Sequence, residues 1–141
     1  MNGSCLCGEV KFSINLEKLK LYQCHCSLCR KQSGTASSTG TVIESKNIEW
    51  VSGVQKINKW ETETGFTSHF CSQCGSPVPN EFRNTSYSWV PAGLIESGDI
   101  EVVANIFVCD TVKWSNVSTN INPFETKPEV EQLIKLLNQN A

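Results

Sequence analysis

The chain has 141 residues, with 12 Lys and Arg against 14 Asp and Glu and a formal net charge of −2; that length supports one compact domain with its own apolar core, so residues 1–141 are expected to form a single domain. Charges are spread evenly, Arg30-Lys31 being the one tight basic pair, which excludes the clustered surface that neutralises phosphates, and no nucleic-acid partner is expected. No stretch approaches the ~20 apolar residues of a membrane span, and the opening MNGSCLCGEVKF lacks the basic and apolar regions of a signal peptide, so no membrane is expected and the expected compartment is the cytoplasm.

Val10, Phe12 and Ile14 alternate with Glu9, Lys11 and Ser13, the period of a half-buried strand. A single helical turn is predicted from Ser27, a capping residue, to Gly34, a terminator. Short stretches rich in Thr, Val, Ile and aromatic residues follow at 35–43, 48–51, 56–62, 66–71, 86–95 and 100–109. Turn signals such as Ser52-Gly53, Glu63-Thr64-Gly65 and Ser97-Gly98-Asp99 separate them, so these read as strands. The polar run from Ser115 to Asn122 reads as a loop. After Pro128, Val130, Leu133, Ile134 and Leu137 fall at helical spacing, with Glu129 and Glu131 in the first turn where the helix dipole favours them. The fold class expected is mainly β, with a C-terminal helix against the sheets. Trp50, Trp60, Trp89 and Trp114 are expected mostly in the core or in a pocket wall.

Eight cysteines are several-fold more than a chain of this size normally carries in a reducing compartment, where close spacing points to metal ligation or catalysis rather than disulfides. Cys5-Leu6-Cys7, read as extended backbone, projects both sulfurs from one face. Cys71-Ser72-Gln73-Cys74-Gly75 has the turn spacing. Together they supply the four thiolates of a closed, structural zinc site. Cys24-His25-Cys26-Ser27-Leu28-Cys29 merges both spacings in one segment and supplies three, which leaves a tetrahedral ion one open position, the arrangement of a catalytic zinc. Cys109, His69 or His25 are the competing fourth ligands. Strand alternation points His25 away, Cys109 reads as a buried strand cysteine, and His69 as a packed histidine or a donor to a sulfur.

The blocks CLCGEVKF at 5–12, CHCSLCRKQSG at 24–34 and FCSQCGSP at 70–77 resemble the glutathione-dependent formaldehyde-activating (Gfa) family, which includes centromere-protein-V-like members. The likeness covers about the first 110 residues. It implies the Mss4-like β-tent of antiparallel sheets. By position it implies Cys5, Cys7, Cys71 and Cys74 as structural zinc ligands and Cys24, Cys26 and Cys29 as ligands of a catalytic zinc. It also implies a carbon–sulfur lyase with glutathione as co-substrate, forming S-hydroxymethylglutathione from formaldehyde or a related small electrophile. Arg30 and Lys31, directly after Cys29, are the nearest cations for glutathione's carboxylates. The chain departs from relatives that carry H-I-F-V where it reads Asn105-Ile106-Phe107-Val108, and it reduces an acidic L-P-x-F-E element to Ile121-Asn122-Pro123-Phe124-Glu125. The alternative is a zinc-stabilised binding module of the same fold without catalysis. A dithiol redox protein using Cys26 and Cys29 fits less well, because such motifs sit in a βαβ setting.

Overall fold

The computed structural model describes residues 1–82 and 84–137. In chain order it contains β1 (Asn2–Ser4), β2 (Lys11–Ile14), β3 (Lys18–Cys24), α1 (Ser27–Ser33), β4 (Ser38–Glu44), β5 (Ile48–Ser52), β6 (Ile57–Glu61), β7 (Thr67–Cys71), β8 (Asn80–Glu81), β9 (Tyr87–Pro91), β10 (Asp99–Ile106) and α2 (Val130–Leu136). The strands form a three-stranded sheet ordered β1-β2-β5, a five-stranded sheet ordered β10-β3-β4-β9-β8, and the β6–β7 hairpin. The mainly-β expectation holds.

Alternation sets the buried faces. In β2, Phe12 and Ile14 are buried while Lys11 is exposed. In β3, Leu19 and Leu21 are buried while Lys18 is exposed. β3 is a strand that the sequence reading does not anticipate, and its pairing makes the five-stranded sheet mixed. It runs parallel to β10, from Lys18 opposite Asp99 to Cys24 opposite Ile106, while its other neighbour, β4, is antiparallel. A parallel partner requires a crossover, and here everything between the two strands makes it.

Three groups of buried side chains hold these layers together. The largest joins Tyr22, Cys24, Val42, Ala104, Ile106 and Leu133. A second, beneath the three-stranded sheet, joins Phe12, Ile14, Leu19, Leu21, Ile43 and Val90. The third is small: Cys5, Val10, Cys71 and Val78. Each full burial of a Leu, Ile, Val or Phe side chain contributes about 1.5–3 kcal/mol. The predicted C-terminal helix is α2, and it sets Leu133 and Leu137 into the largest group.

The tryptophans meet the expectation in part: Trp89 lines the cavity described below and Trp114, 68% exposed, lines a second pocket, whereas Trp50 and Trp60 are 38% and 59% exposed. Among the described residues no helix is long and apolar enough to cross a membrane.

Candidate metal centres

All eight cysteines are free thiols, and seven of them gather into two groups. The sulfurs of Cys5, Cys7, Cys71 and Cys74 lie within 4.8 Å of one another. Cys5 and Cys7 do not sit on a strand, as expected, but in a tight turn just past β1, closed by Gly8 N–H donating to Cys5 O at 3.0 Å. The turn brings the two sulfurs to 3.6 Å, and Cys7 Sγ to 3.8 Å from Cys71 Sγ. A tetrahedron with metal–sulfur bonds of ~2.3 Å has edges of about 3.8 Å, which these two separations match. The second pair leaves the end of β7 through a turn in which Gly75 N–H donates to Cys71 O at 2.8 Å. Val10 N–H donates to Cys5 Sγ at 3.3 Å. Ser76 bridges the halves, its Oγ accepting Leu6 N–H at 3.0 Å and lying 3.4 Å from Cys74 Sγ. Hydrogen bonding from Ser76 is the leading reason that Cys74 is pushed down to about 5.

The second group, Cys24, Cys26 and Cys29, is assembled at the junction of a strand and a helix. Cys24 closes β3, with Ser38 and Ile106 beside it on the neighbouring strands. Cys26 caps α1: its sulfur accepts Cys29 N–H at 3.4 Å, the place the sequence reading gave to Ser27. The helix then ends at Gly34, whose φ of 69° is readily taken only by glycine, with Gly34 N–H donating to Arg30 O at 2.8 Å. As thiols the three share their protons unequally. Cys26 is pushed down to about 2, chiefly by hydrogen bonding from Cys24 and then Cys29. Cys24 is pushed up to about 12, chiefly by its bond to Cys26. Cys29 is pushed up by Cys24 and then Cys26. No fourth His, Cys, Asp or Glu among the described residues joins these three sulfurs within 4.8 Å.

The competing ligands lie elsewhere. Cys109 is exposed rather than buried in a strand, because β10 ends at Ile106 and the chain turns at Phe107 into a short 3-10 turn, Val108–Asp110. His69 lies on β7 opposite Lys59 and is held below the usual histidine range by burial and then by that lysine. His25 is fully buried and points away from the sulfur group, as expected, with Nε2 donating to Asn105 Oδ1 at 2.9 Å. Asn105 also donates through Nδ2 to Ile121 O at 3.1 Å and accepts Phe124 N–H at its carbonyl at 2.8 Å. The residue that departs from the family pattern therefore ties the cysteine segment to the 121–124 loop, and it is not among the cavity's lining residues.

The three sulfurs open on a cavity of about 250 Å³. Its walls come from distant parts of the chain: Tyr22 on β3, Phe66 at the tip of the β6–β7 hairpin, Trp89 on β9, Phe107 after β10 and Leu133 on α2. The hairpin is tied to α1 by Gln32 Nε2 donating to Thr67 O at 3.2 Å and to β8 by Thr67 Oγ1 donating to Asn80 Oδ1 at 3.0 Å. Trp89 is seated against Gly40, where a Cβ would fall 2.6 Å from the indole Nε1 and 2.8 Å from Val90 O. Phe107 holds a φ of 55°, a region that a bulky residue enters at a cost of about 1–3 kcal/mol. The exposed Lys127 is the cation on the wall and Glu81 the anion; Arg30 and Lys31, on α1, are not lining residues. Neither the cavity nor Lys127 carries a local sequence signal.

A family model described as glutathione-dependent formaldehyde-activating enzyme matches residues 1–110. A protein of Halomonas elongata, named as a candidate glutathione-dependent formaldehyde-activating enzyme, is 32% identical over 84 residues, 55% of this chain and 54% of its own. The match thus spans about half the length of that curated relative. The crystal structure of a Rhodobacter sphaeroides protein superimposes with a TM-score of 0.56 at 19% identity, over 72% of this chain and 100% of that one, a likeness of fold alone.

Proposed function

This chain belongs to the glutathione-dependent formaldehyde-activating enzyme family, and on that premise we propose that it is a zinc-dependent carbon–sulfur lyase that makes and breaks the bond between glutathione's sulfur and a small aldehyde, formaldehyde being the one the family name indicates. The observation that carries this reading is the set of three cysteine sulfurs that share a cavity with no fourth side-chain ligand beside them among the described residues.

The donors fit zinc at both centres. Cys5, Cys7, Cys71 and Cys74 complete a tetrahedral shell, whereas Cys24, Cys26 and Cys29 fill three of its positions. When bound by the three thiolates, the ion supplies the positive charge that keeps an added thiol ionised at neutral pH. The chemistry balances without an oxidant: a sulfur lone pair forms the S–C bond, the C=O π pair moves onto oxygen, and oxygen takes up the proton that the thiol gave up. The reverse step cleaves C–S and returns thiol and aldehyde.

The chain's own residues position and enclose. Trp89, Phe107 and Leu133 wall the cavity, which limits water around the reacting carbon. Holding both reactants beside the sulfurs replaces a bimolecular encounter by an oriented one. Lys127 on the wall, and Arg30 and Lys31 on α1, offer cations for glutathione's two carboxylates. The absence of any Cys109 contact with the three-sulfur group counts against a second closed site and so against a purely architectural module.

Zinc analysis of the reduced protein is expected to give about two ions per chain, and Cys26→Ser about one with the fold kept. Two-dimensional exchange NMR with labelled formaldehyde and glutathione should show adduct exchange accelerated by the wild type and slowed about 100-fold in Cys26→Ser. Unaccelerated exchange in the zinc-replete wild type would sink the enzymatic reading.

A further inference from the structure

We propose that the electrophile joined to sulfur in this cavity carries an apolar, preferably aromatic, group, and that Phe107 selects for it; this rests on reading the three-sulfur group as a thiol-adduct site. Beside the sulfurs, the lining is mainly apolar, with Phe66, Phe82, Trp89, Phe107, Val130 and Leu133 among its members. Glutathione does not suit such a surface. It brings two carboxylates, an ammonium group and two amides, each of which loses hydration against an apolar wall and gains no partner there. Those groups suit Lys127, the exposed cation of the lining. Formaldehyde does not account for the wall either, since it adds a single hydroxymethyl carbon to the sulfur. A cavity of about 250 Å³ leaves room for a larger group on that carbon.

Backbone strain singles out Phe107. Its φ of 55° has no support from a hydrogen-bonding side chain, yet the conformation is fixed from both sides. Phe107 N–H donates to Thr126 O at 2.8 Å, and its carbonyl accepts Asp110 N–H at 3.0 Å. Glycine would take this conformation without strain, whereas the bulky residue that stands here lines the cavity. The substrate class is therefore a thiol adduct of an aryl or branched-alkyl aldehyde, R–S–CH(OH)–R′. As with the simpler aldehyde, the sulfur pair forms S–C, the π pair goes to oxygen with the thiol's proton, and reversal returns both reactants.

The test is isothermal titration of the zinc-loaded protein with two stable thioether probes, S-methylglutathione and S-benzylglutathione. The benzyl conjugate is expected to bind at least about tenfold more tightly, from the apolar area it buries. Phe107→Gly, which takes a positive φ without strain, is expected to bring the ratio below about threefold, the benzyl conjugate losing more affinity than the methyl one. Equal affinities in the wild type would overturn the apolar-substituent inference and leave the glutathione reading standing. A ratio unchanged in Phe107→Gly would overturn the role given to Phe107. If neither conjugate binds but benzyl mercaptan does, the apolar selectivity stands and the glutathione reading falls; if none of the three binds, both fall.

Discussion

The four sulfurs of Cys5, Cys7, Cys71 and Cys74 and the three of Cys24, Cys26 and Cys29 are made from the same two spacings, C-x-C and C-x-x-C, yet they end in different surroundings. Where the spacings are about sixty residues apart they bring four ligands, tie the turn after β1 to the end of β7, and rest on the smallest core group. Where they overlap, Cys26 serves both, one ligand is lost, and the remaining three lie against the largest core group with a cavity beside them. Sharing one cysteine is thus the covalent difference between a group of four sulfurs and a group of three. The cavity adds what the spacing cannot: a space beside the three.

The strongest way to break this contrast is to remove one sulfur from each side. Cys71 is fully buried in a group whose packing is built around its neighbours' sulfurs. Cys71→Ser is expected to lose about 5 kcal/mol or more, because metal affinity and folding are one free energy at such a site. Cys26→Ser keeps a capping side chain at the start of α1 and leaves the four-sulfur group intact, so it should lose about 1 kcal/mol or less and melt only a few degrees lower. Circular dichroism melts of the two variants, each with its zinc content measured, decide the point; equal losses would erase the distinction.

A smaller effect sharpens it. Gly40→Ala places a Cβ within 3 Å of the Trp89 indole and the Val90 carbonyl, and should cost about 1–3 kcal/mol in urea unfolding. Because it disturbs only the wall of the three-sulfur cavity, both zinc ions should stay bound while conjugate affinity falls. Loss of zinc from that variant would mean that the wall and the ligands are one unit. The smallest change expected is from Lys127→Ala, an exposed cation worth less than about 1 kcal/mol, hence roughly threefold in glutathione affinity with melting unchanged. If Arg30→Ala has the larger effect in the same titration, the carboxylate anchor belongs on α1.

The two cysteine groups are legible in the sequence because ligand spacing is a local property, and α2 is legible because its apolar residues repeat at helical period. The features missed are those decided by distant contacts or by a single dihedral. β3 alternates Lys18, Leu19, Lys20 and Leu21 correctly for a strand, but Leu and Lys carry little strand preference, and its parallel partner lies about eighty residues away. The apolar run from Val102 to Val108 looks like one strand reaching Cys109, whereas the chain turns at Phe107, a residue type that gives no warning of a positive φ. The cavity draws on β3, the β6–β7 hairpin, β9 and α2 at once, so neither its apolar lining nor Lys127 could be read from neighbours in the chain.

The parallel pairing of β3 with β10 also sets an order of events during synthesis. Once Cys74 has left the ribosome, every sulfur of the four-member group is available, and that group can close on an ion while the rest of the chain is still being made. Cys24, Cys26 and Cys29 emerge far earlier, but the strand that ends at Cys24 has no neighbour on its β10 side until Ile106 arrives. Until then those three thiols sit in a half-built setting, where oxidation has longest to act on them.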